Sequence, residues 1–381
     1  MRIAIVLTDN RDEFRQFDAP APFFGPAPTA LLQGFAELPE HEFHIVSCVR
    51  QKMLCPEKIA PNIYYHAALV PKWGWLKSAY LPCISAVRKI IRDIDPDIVH
   101  GQGTERYAAI SSVYSGKPCV LTIHGNMRAI AALMGAKPLS FYWLMARLEA
   151  FTLPKAGGII CLSSYTRDQV ASLARKTWVV ANATGNEFFQ ESTPLHEPPV
   201  LFCPAIICPR KNQNALLRAL DAVAPKQPFR LVLAGGCDAE SAYGREFLEL
   251  ARARPWCEFI GNVHHSQLPQ LHRQADLLVL PSVEDNCPMA ILEAFAGGKP
   301  VAASGVCGIL DLVADGQEGV LFDPNDPQSI AEKIRGILAN RDALLAMGKR
   351  ARAAADAKHS PRAVALAHLD IYRQVLEAKR Q

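Results

Sequence analysis

Asp285 and Glu293 stand eight residues apart in Pro281-Ser282-Val283-Glu284-Asp285-Asn286-Cys287-Pro288-Met289-Ala290-Ile291-Leu292-Glu293-Ala294-Phe295. An apolar run ends at Pro281, a polar loop follows, and Pro288 stands where the first residue of a helix would be. The amides of Met289 and Ala290 then open a positive helix end, which suits a phosphate. Carboxylates flank that seat, one before the helix and one in its second turn. They could hold sugar hydroxyls on one side and a ribose on the other. The plainer reading of the same pair is a helix-start acid and a solvated glutamate.

The elements that must position these groups follow a βα rhythm. Short apolar runs at 3–7, 44–48, 98–100, 119–124 and 158–162 alternate with helical patterns such as 30–38 and 84–91. The rhythm restarts with strands at 200–203, 230–234, 257–260, 277–281, 300–303 and 319–322, separated by helices at 213–223, 242–252, 265–274 and 290–296. Continuous apolar runs of this length between helices predict parallel strands buried on both faces. The Pro-rich stretch 191–199, with Pro194, Pro198 and Pro199, reads as a linker. The expectation is α/β architecture: two doubly wound Rossmann-like domains, 1–190 and 200–360, facing one another across a cleft. An amphipathic helix over 361–381 then packs back on either domain.

Composition narrows the function classes. With 381 residues, half of them apolar and 20% charged, the chain can build large cores and is not disordered. No apolar stretch approaches the roughly 18 residues of a membrane span. The start, Met1 to Val6, enters a strand pattern without a secretory signal, so a cytoplasmic protein is expected. Eleven cysteines scattered singly read as buried reduced thiols. The first 194 residues carry 20 basic against 16 acidic side chains and the remainder 21 against 21. That excess is too small for a nucleic-acid footprint, but it favours an anionic acceptor or membrane surface near the first domain. Trp73, Trp75 and Tyr80 with Lys72 and Lys77 suit either an interfacial contact or ordinary packing. Met134, Phe141, Tyr142, Trp143 and Met145 within 127–148 fit a core or an acceptor groove equally. His264, His265 and His272 are expected at a helix start and on its exposed face.

The 281–301 segment resembles the signature of the retaining glycosyltransferases of family 4, which have the GT-B fold. That signature is a Pro-Ser strand end, Glu, seven residues, Glu-Ala, a small-residue run with Gly, and Pro-Val. Here Asp285 replaces the first acid and Asn286-Cys287-Pro288 replaces a Gly-x-Gly segment. Residues 96–100 and 117–125 are similar to the family's first-domain strands, and 25–38 resembles its first Gly-rich loop, with Pro26 in place of a second Gly. Residues 179–182, 233–236, 259–263 and 308–319 resemble further segments.

The resemblance implies a nucleotide-diphosphate sugar as donor substrate, no cofactor and no metal. It assigns Glu293 to the ribose, and Lys211 with the Met289 and Ala290 amides to the diphosphate. Asp285, with Asn286 and Cys287 nearby, falls to the donor sugar, as does His124. Gly25 and Gly235 border the donor. The family's Arg five residues before Lys211 is Ile206 here, and Arg210 is the nearest substitute. No Asp-x-Asp pair ends a strand, since Asp95 and Asp97 precede one.

The expected activity is transfer of a sugar, as an EC 2.4 enzyme, to a glycan or lipid-linked acceptor in cell-surface polysaccharide or glycolipid synthesis. A peripheral contact with the inner face of the membrane accompanies that expectation. One rival is a non-catalytic GT-B protein that binds a nucleotide or sugar, motivated by Ile206 and Pro288. A nicotinamide-dependent oxidoreductase is the other, and the lack of Gly-x-Gly-x-x-Gly after the first strand counts against it.

Overall fold

A computed structural model of the 381-residue chain describes all residues except 72–74, 77, 192 and 381, together with the side chain of residue 380. The chain divides into two compact units, Met1–Ala183 with Pro361–Gln381 and Thr184–Ser360.

The first unit holds strands β1 (Arg2–Val6), β2 (Glu42–Val49), β3 (Lys58–Ala60), β4 (Ile63–Leu69), β5 (Ile98–Gln102), β6 (Cys119–Ile123), β7 (Gly158–Cys161) and β8 (Thr177–Val179). They form one sheet in the order β3-β4-β2-β1-β5-β6-β7-β8, parallel except for the β3–β4 pair. Alternation along β1 sends Ala4 and Val6 into the core on one face and Ile3 and Ile5 into the core on the other. Both faces are therefore covered, as the apolar runs require. The second face is closed by helix Pro26–Ala36 and by the last helix, Pro361–Arg380, whose Val364, Leu369, Tyr372 and Val375 are buried there. These two helices touch so closely that a Cβ at Gly34 would lie 1.9 Å from the Pro361 carbonyl oxygen.

The second unit holds β9 (Val200–Pro204), β10 (Arg230–Ala234), β11 (Cys257–Phe259), β12 (Leu277–Leu280), β13 (Val301–Ser304) and β14 (Gly319–Phe322). All pair in parallel in the order β11-β10-β9-β12-β13-β14. The chain winds outward from β9 through β10 to β11, then crosses to the other side at β12. The crevice between the carboxyl ends of β9 and β12 is thus a topological switch point, where open α/β sheets bind ligands. In the first unit the equivalent switch lies between β1 and β5.

Four features differ from the sequence reading. Strands β3, β4 and β8 escape it because Tyr64, Tyr65 and His66 interrupt the apolar run of β4, and β3 and β8 have three residues each. The units change over at Ala183–Thr184, and the Pro-rich stretch is docked on the second unit: Thr193 Oγ1 donates to the Arg273 carbonyl at 2.8 Å, and the His196 amide to Asp276 at 3.2 Å. The aromatic cluster is also divided. Trp75 and Tyr80 are buried core residues, which excludes an interfacial role for them, while Lys72, Trp73 and Lys77 lie outside the described residues. Of the cysteines, six are buried and Cys55 is exposed, so burial is not general.

Two buried histidines make stability depend on pH. Burial holds His359 and His368 down to about 4, so both are neutral in the folded chain at pH 7. Unfolded histidine titrates near 6.5, so between pH 6.5 and 4 the unfolded chain binds more protons. Their stabilisation is complete above pH 6.5 and is lost as pH falls toward 4. Each should contribute about 2 kcal/mol less at pH 5 than at pH 7. Urea unfolding should show a lower midpoint at pH 5, and His368→Asn should flatten that slope; an unchanged slope would contradict the assignment.

Candidate functional site

Two loops meet at the switch point of the second unit. The loop after β9 runs through Cys208 into the short turn Pro209–Lys211 and helix Gln213–Leu220, with Asn212 at a left-handed φ of 59° between them. The loop after β12 carries Ser282 to Pro288 into helix Met289–Ala296. Lys211 Nζ donates to Asp285 Oδ2, and Ser282 Oγ donates to the same oxygen at 3.3 Å. Arg210 Nη1 stands 3.9 Å from Asp285 Oδ1 and donates to the Glu284 carbonyl at 3.0 Å. The Val283 amide returns a bond to the Arg210 carbonyl at 2.9 Å, tying the loops by backbone as well. Lys211 and Asp285 are 13% and 12% exposed, so solvent screens their attraction far less than that of a surface pair.

Pro288 occupies the position just before helix Met289–Ala296 and not its first turn, with ψ 117°. The helix therefore opens on the Met289 and Ala290 amides, which have no acceptor within the helix. Six consecutive residues, Ile291 to Ala296, are buried, so Glu293 is not a solvated helix acid. A carboxylate there needs a partner, and His272 Nε2 supplies it at 3.2 Å, with His265 Nε2 at 3.9 Å. Phe188 and Phe202 pack edge-on against the His272 ring at 5.7 and 5.2 Å. His272 is thus a buried partner of Glu293 and not part of an exposed helix face, whereas His264 caps the turn at Ser266.

The other donor-side candidates are placed as follows. Gly235 ends β10 at φ 150°, and a Cβ there would lie 2.1 Å from the Ala205 carbonyl oxygen, so glycine is required where the chain leaves the β9–β10 pair. Asn286 is half-buried, and the Cys287 side chain is buried, so Cys287 can meet a ligand through its backbone alone. Ile206 is exposed and offers no charge.

His124 and Gly25 lie in the first unit. Gly25 precedes helix Pro26–Ala36 at φ 82° and packs against Asn10. The loop leading to it is held by a buried pair that spacing did not reveal. Arg11 Nη2 donates to Asp9 Oδ2 at 2.7 Å, and Nη1 donates to the carbonyls of Ala19 and Leu54 at 2.7 and 2.9 Å. Tyr65 Oη donates to Asp9 Oδ2 at 2.7 Å.

His124 follows β6, and its Nε2 donates to Gln102 Oε1 at 2.6 Å. Gln102 in turn donates to His100 Nε2 at 3.3 Å, and His100 Nδ1 donates to Tyr372 Oη of the last helix at 2.6 Å. Burial holds His124 at about 4 and His100 well below its usual value, so both rings are neutral at pH 7. The bond to Gln102 then fixes the tautomer of His124, leaving the lone pair on Nδ1. Gln102 was missed by sequence reasoning; its signal is the His100-x-Gln102 alternation at the end of β5, which aims both side chains to one face.

The two parallel α/β sheets with their switch points define a GT-B architecture. The family model described as glycosyl transferases group 1 matches residues 185–354, and that for glycosyltransferase family 4 matches 29–185. The chain belongs to glycosyltransferase family 4. It is 24% identical over 266 residues to an uncharacterized glycosyltransferase of Methanocaldococcus jannaschii, covering 69% of this chain and 71% of that protein. It is 30% identical over 211 residues to the D-inositol 3-phosphate glycosyltransferase of Xylanimonas cellulosilytica, covering 53% of this chain. The match spans about half of that relative's length, at 48%, and 33% of a second M. jannaschii glycosyltransferase. Among solved structures, sucrose-phosphate synthase of Thermosynechococcus elongatus superposes with a TM-score of 0.75 at 19% identity over 99% of this chain and 100% of that one. HepE of Anabaena in complex with UDP gives 0.71 at 18% identity over 98% of this chain and 100% of that one. These two likenesses are of fold.

The histidine chain yields a direct test. Gln102→Glu would place a carboxylate against His124 Nε2 and should raise its pKa by a unit or more from about 4. Imidazole nitrogen NMR over pH 4 to 8 reads both the tautomer and the shift. An unmoved titration would contradict the contact.

Proposed function

We propose that the protein is a retaining glycosyltransferase that moves a sugar from a nucleotide-diphosphate sugar to a glycan or lipid-linked acceptor. The observation that carries this reading is the meeting of Lys211 and Asp285 at the switch point, beside the opening of helix Met289–Ala296. In this reading the donor diphosphate takes the amides of Met289 and Ala290 and draws Lys211 away from Asp285. Asp285 and the Asn286–Cys287 backbone then receive the sugar hydroxyls, and Glu293 exchanges His272 for the ribose. Gly235 lets the base side of the nucleotide approach the backbone. The first unit supplies the acceptor site, with Gly25 opening its first loop and the neutral ring of His124 helping to position the donor sugar. UDP in the complex of the structural neighbour HepE supports a nucleotide donor.

The chemistry asks for two things: tolerance of oxocarbenium-like charge at the anomeric carbon, and neutralisation of the departing phosphate. Lys211, with Arg210 beside it, and the helix opening meet the second. No side chain at the site stands out as a covalent nucleophile, so departure and attack on the same face of the sugar are favoured. The cation at Lys211 makes a divalent ion dispensable. We place the reaction in the cytoplasm, in synthesis of cell-surface polysaccharide or glycolipid; no helix among the described residues is long and apolar enough to cross a membrane.

Incubation with a panel of nucleotide sugars and glycan acceptors should give product that retains the donor's anomeric configuration by proton NMR, at a rate insensitive to EDTA. An inverted first product, or turnover abolished by chelator and restored by magnesium or manganese, would refute the corresponding claim. In calorimetry, Lys211→Ala should weaken nucleoside diphosphate binding roughly ten- to a hundredfold, since charge-assisted bonds are worth about 1.5 to 3 kcal/mol. Glu293→Gln should weaken nucleoside and nucleoside diphosphate alike. Unaltered diphosphate affinity in Lys211→Ala would transfer the role to Arg210.

A further inference from the structure

Helix Met127–Leu133 turns back into helix Phe141–Thr152, and the tip of this hairpin is unusually apolar for a surface. Leu133, Met134, Leu139, Phe141 and Tyr142 fall within ten residues and are 67%, 60%, 78%, 45% and 37% exposed. Single exposed apolar side chains need no explanation, but a contiguous group of this size marks a contact surface. Leu139 also sits at a left-handed φ of 67°, a conformation that a branched side chain adopts at a cost. The base of the hairpin is firmly rooted: Met127 and Met145 are buried in the core, and Tyr80 Oη reaches Met145 Sδ at 3.8 Å. The tip is therefore an exposed apolar element on a base anchored in the core.

Its charges are all of one sign. Between residues 127 and 155 the exposed ionic side chains are Arg128, Lys137, Arg147 and Lys155. The one carboxylate in that stretch, Glu149, is fully buried, where it accepts from Thr104 Oγ1 at 2.5 Å and from the amides of Met127 and Arg128 at 3.0 and 3.3 Å. A protein partner is typically met by a patterned mixture of charges, whereas an apolar tip ringed by cations alone complements a uniformly negative sheet of headgroups over hydrocarbon. The helices, of 7 and 12 residues, are too short to cross a bilayer and suit its interface.

We infer that the 133–142 hairpin tip docks the protein onto an anionic lipid surface, inserting Leu139 and Phe141 while Arg128, Lys137 and Arg147 engage headgroups. This inference is independent of the transferase reading, and its test uses no turnover. The full-length protein is sedimented with vesicles of phosphatidylglycerol and phosphatidylcholine, and with phosphatidylcholine alone, in low and high salt. Strong partitioning to the anionic vesicles is expected, falling with salt. Leu139→Ser combined with Phe141→Ser should reduce it by about tenfold or more. Lys137→Gln, a surface change, should reduce it about fivefold, and its thermal midpoint should match the parent's even where the double variant is destabilised. No binding to anionic vesicles, equal binding to neutral ones, or unchanged binding by Lys137→Gln would overturn the inference. So would self-association abolished by the double variant in a protein that ignores vesicles.

Discussion

A cation and an anion are held together where the sheet of the second unit reverses its winding. Lys211 arrives from β9 and Asp285 from β12, and neither could reach the other if the two strands were not neighbours. Strand order therefore creates the pair, and the pair fixes the two loops. Ser282 adds a hydroxyl to the same carboxylate oxygen, and the Gly308 amide donates to the Asp285 carbonyl at 3.0 Å, linking the following loop as well. Removing either charge would leave the other partly buried and unpaired, so the pair is a costly thing to break unless another ion replaces the missing one. An anion at the helix opening is such a replacement for Asp285.

The same logic governs the deeper carboxylate. Glu293 sits in a helix buried on every side, and its environment consists of His272, His265 and the ring edges around them. A carboxylate in such a place must be paired by its neighbours. In the first unit, order runs from the outside inward. The last helix follows the second unit in sequence yet belongs to the first, and its Tyr372 begins the chain of bonds through His100 and Gln102 that fixes the His124 ring. Gly34 is the contact that allows this helix to approach.

Much of this was legible in the residues themselves. Buried parallel strands announce themselves as continuous apolar runs, and the 242–252 helix coincides with Ala242–Arg252 because its amphipathic stripe and Ser241 cap agree. Asp285 and Glu293 were legible as a spacing, and Lys211 through the family it resembles. What spacing could not show was partnership across the sheet. His272 lies 21 residues from Glu293 and reads as a surface histidine until β12 and its following helix are folded against it. Asp9, Arg11 and Tyr65 likewise become a buried network only once β4 is placed, and β4 is the strand whose aromatic residues obscured it. Trp75 was ambiguous in the opposite sense, since an aromatic among lysines, Pro and Gly suits an interface or ordinary packing, and the fold places it in the core.

In the proposed function the Lys211–Asp285 pair is the resting form of a diphosphate seat. The most direct measurement is a crystal structure of the protein with a nucleoside diphosphate bound. It should find a phosphate oxygen about 3 Å from Lys211 Nζ and from the Met289 or Ala290 amide, with the Asp285 carboxylate released from the lysine. A nucleotide bound elsewhere, with the ion pair between Lys211 and Asp285 intact, would contradict it.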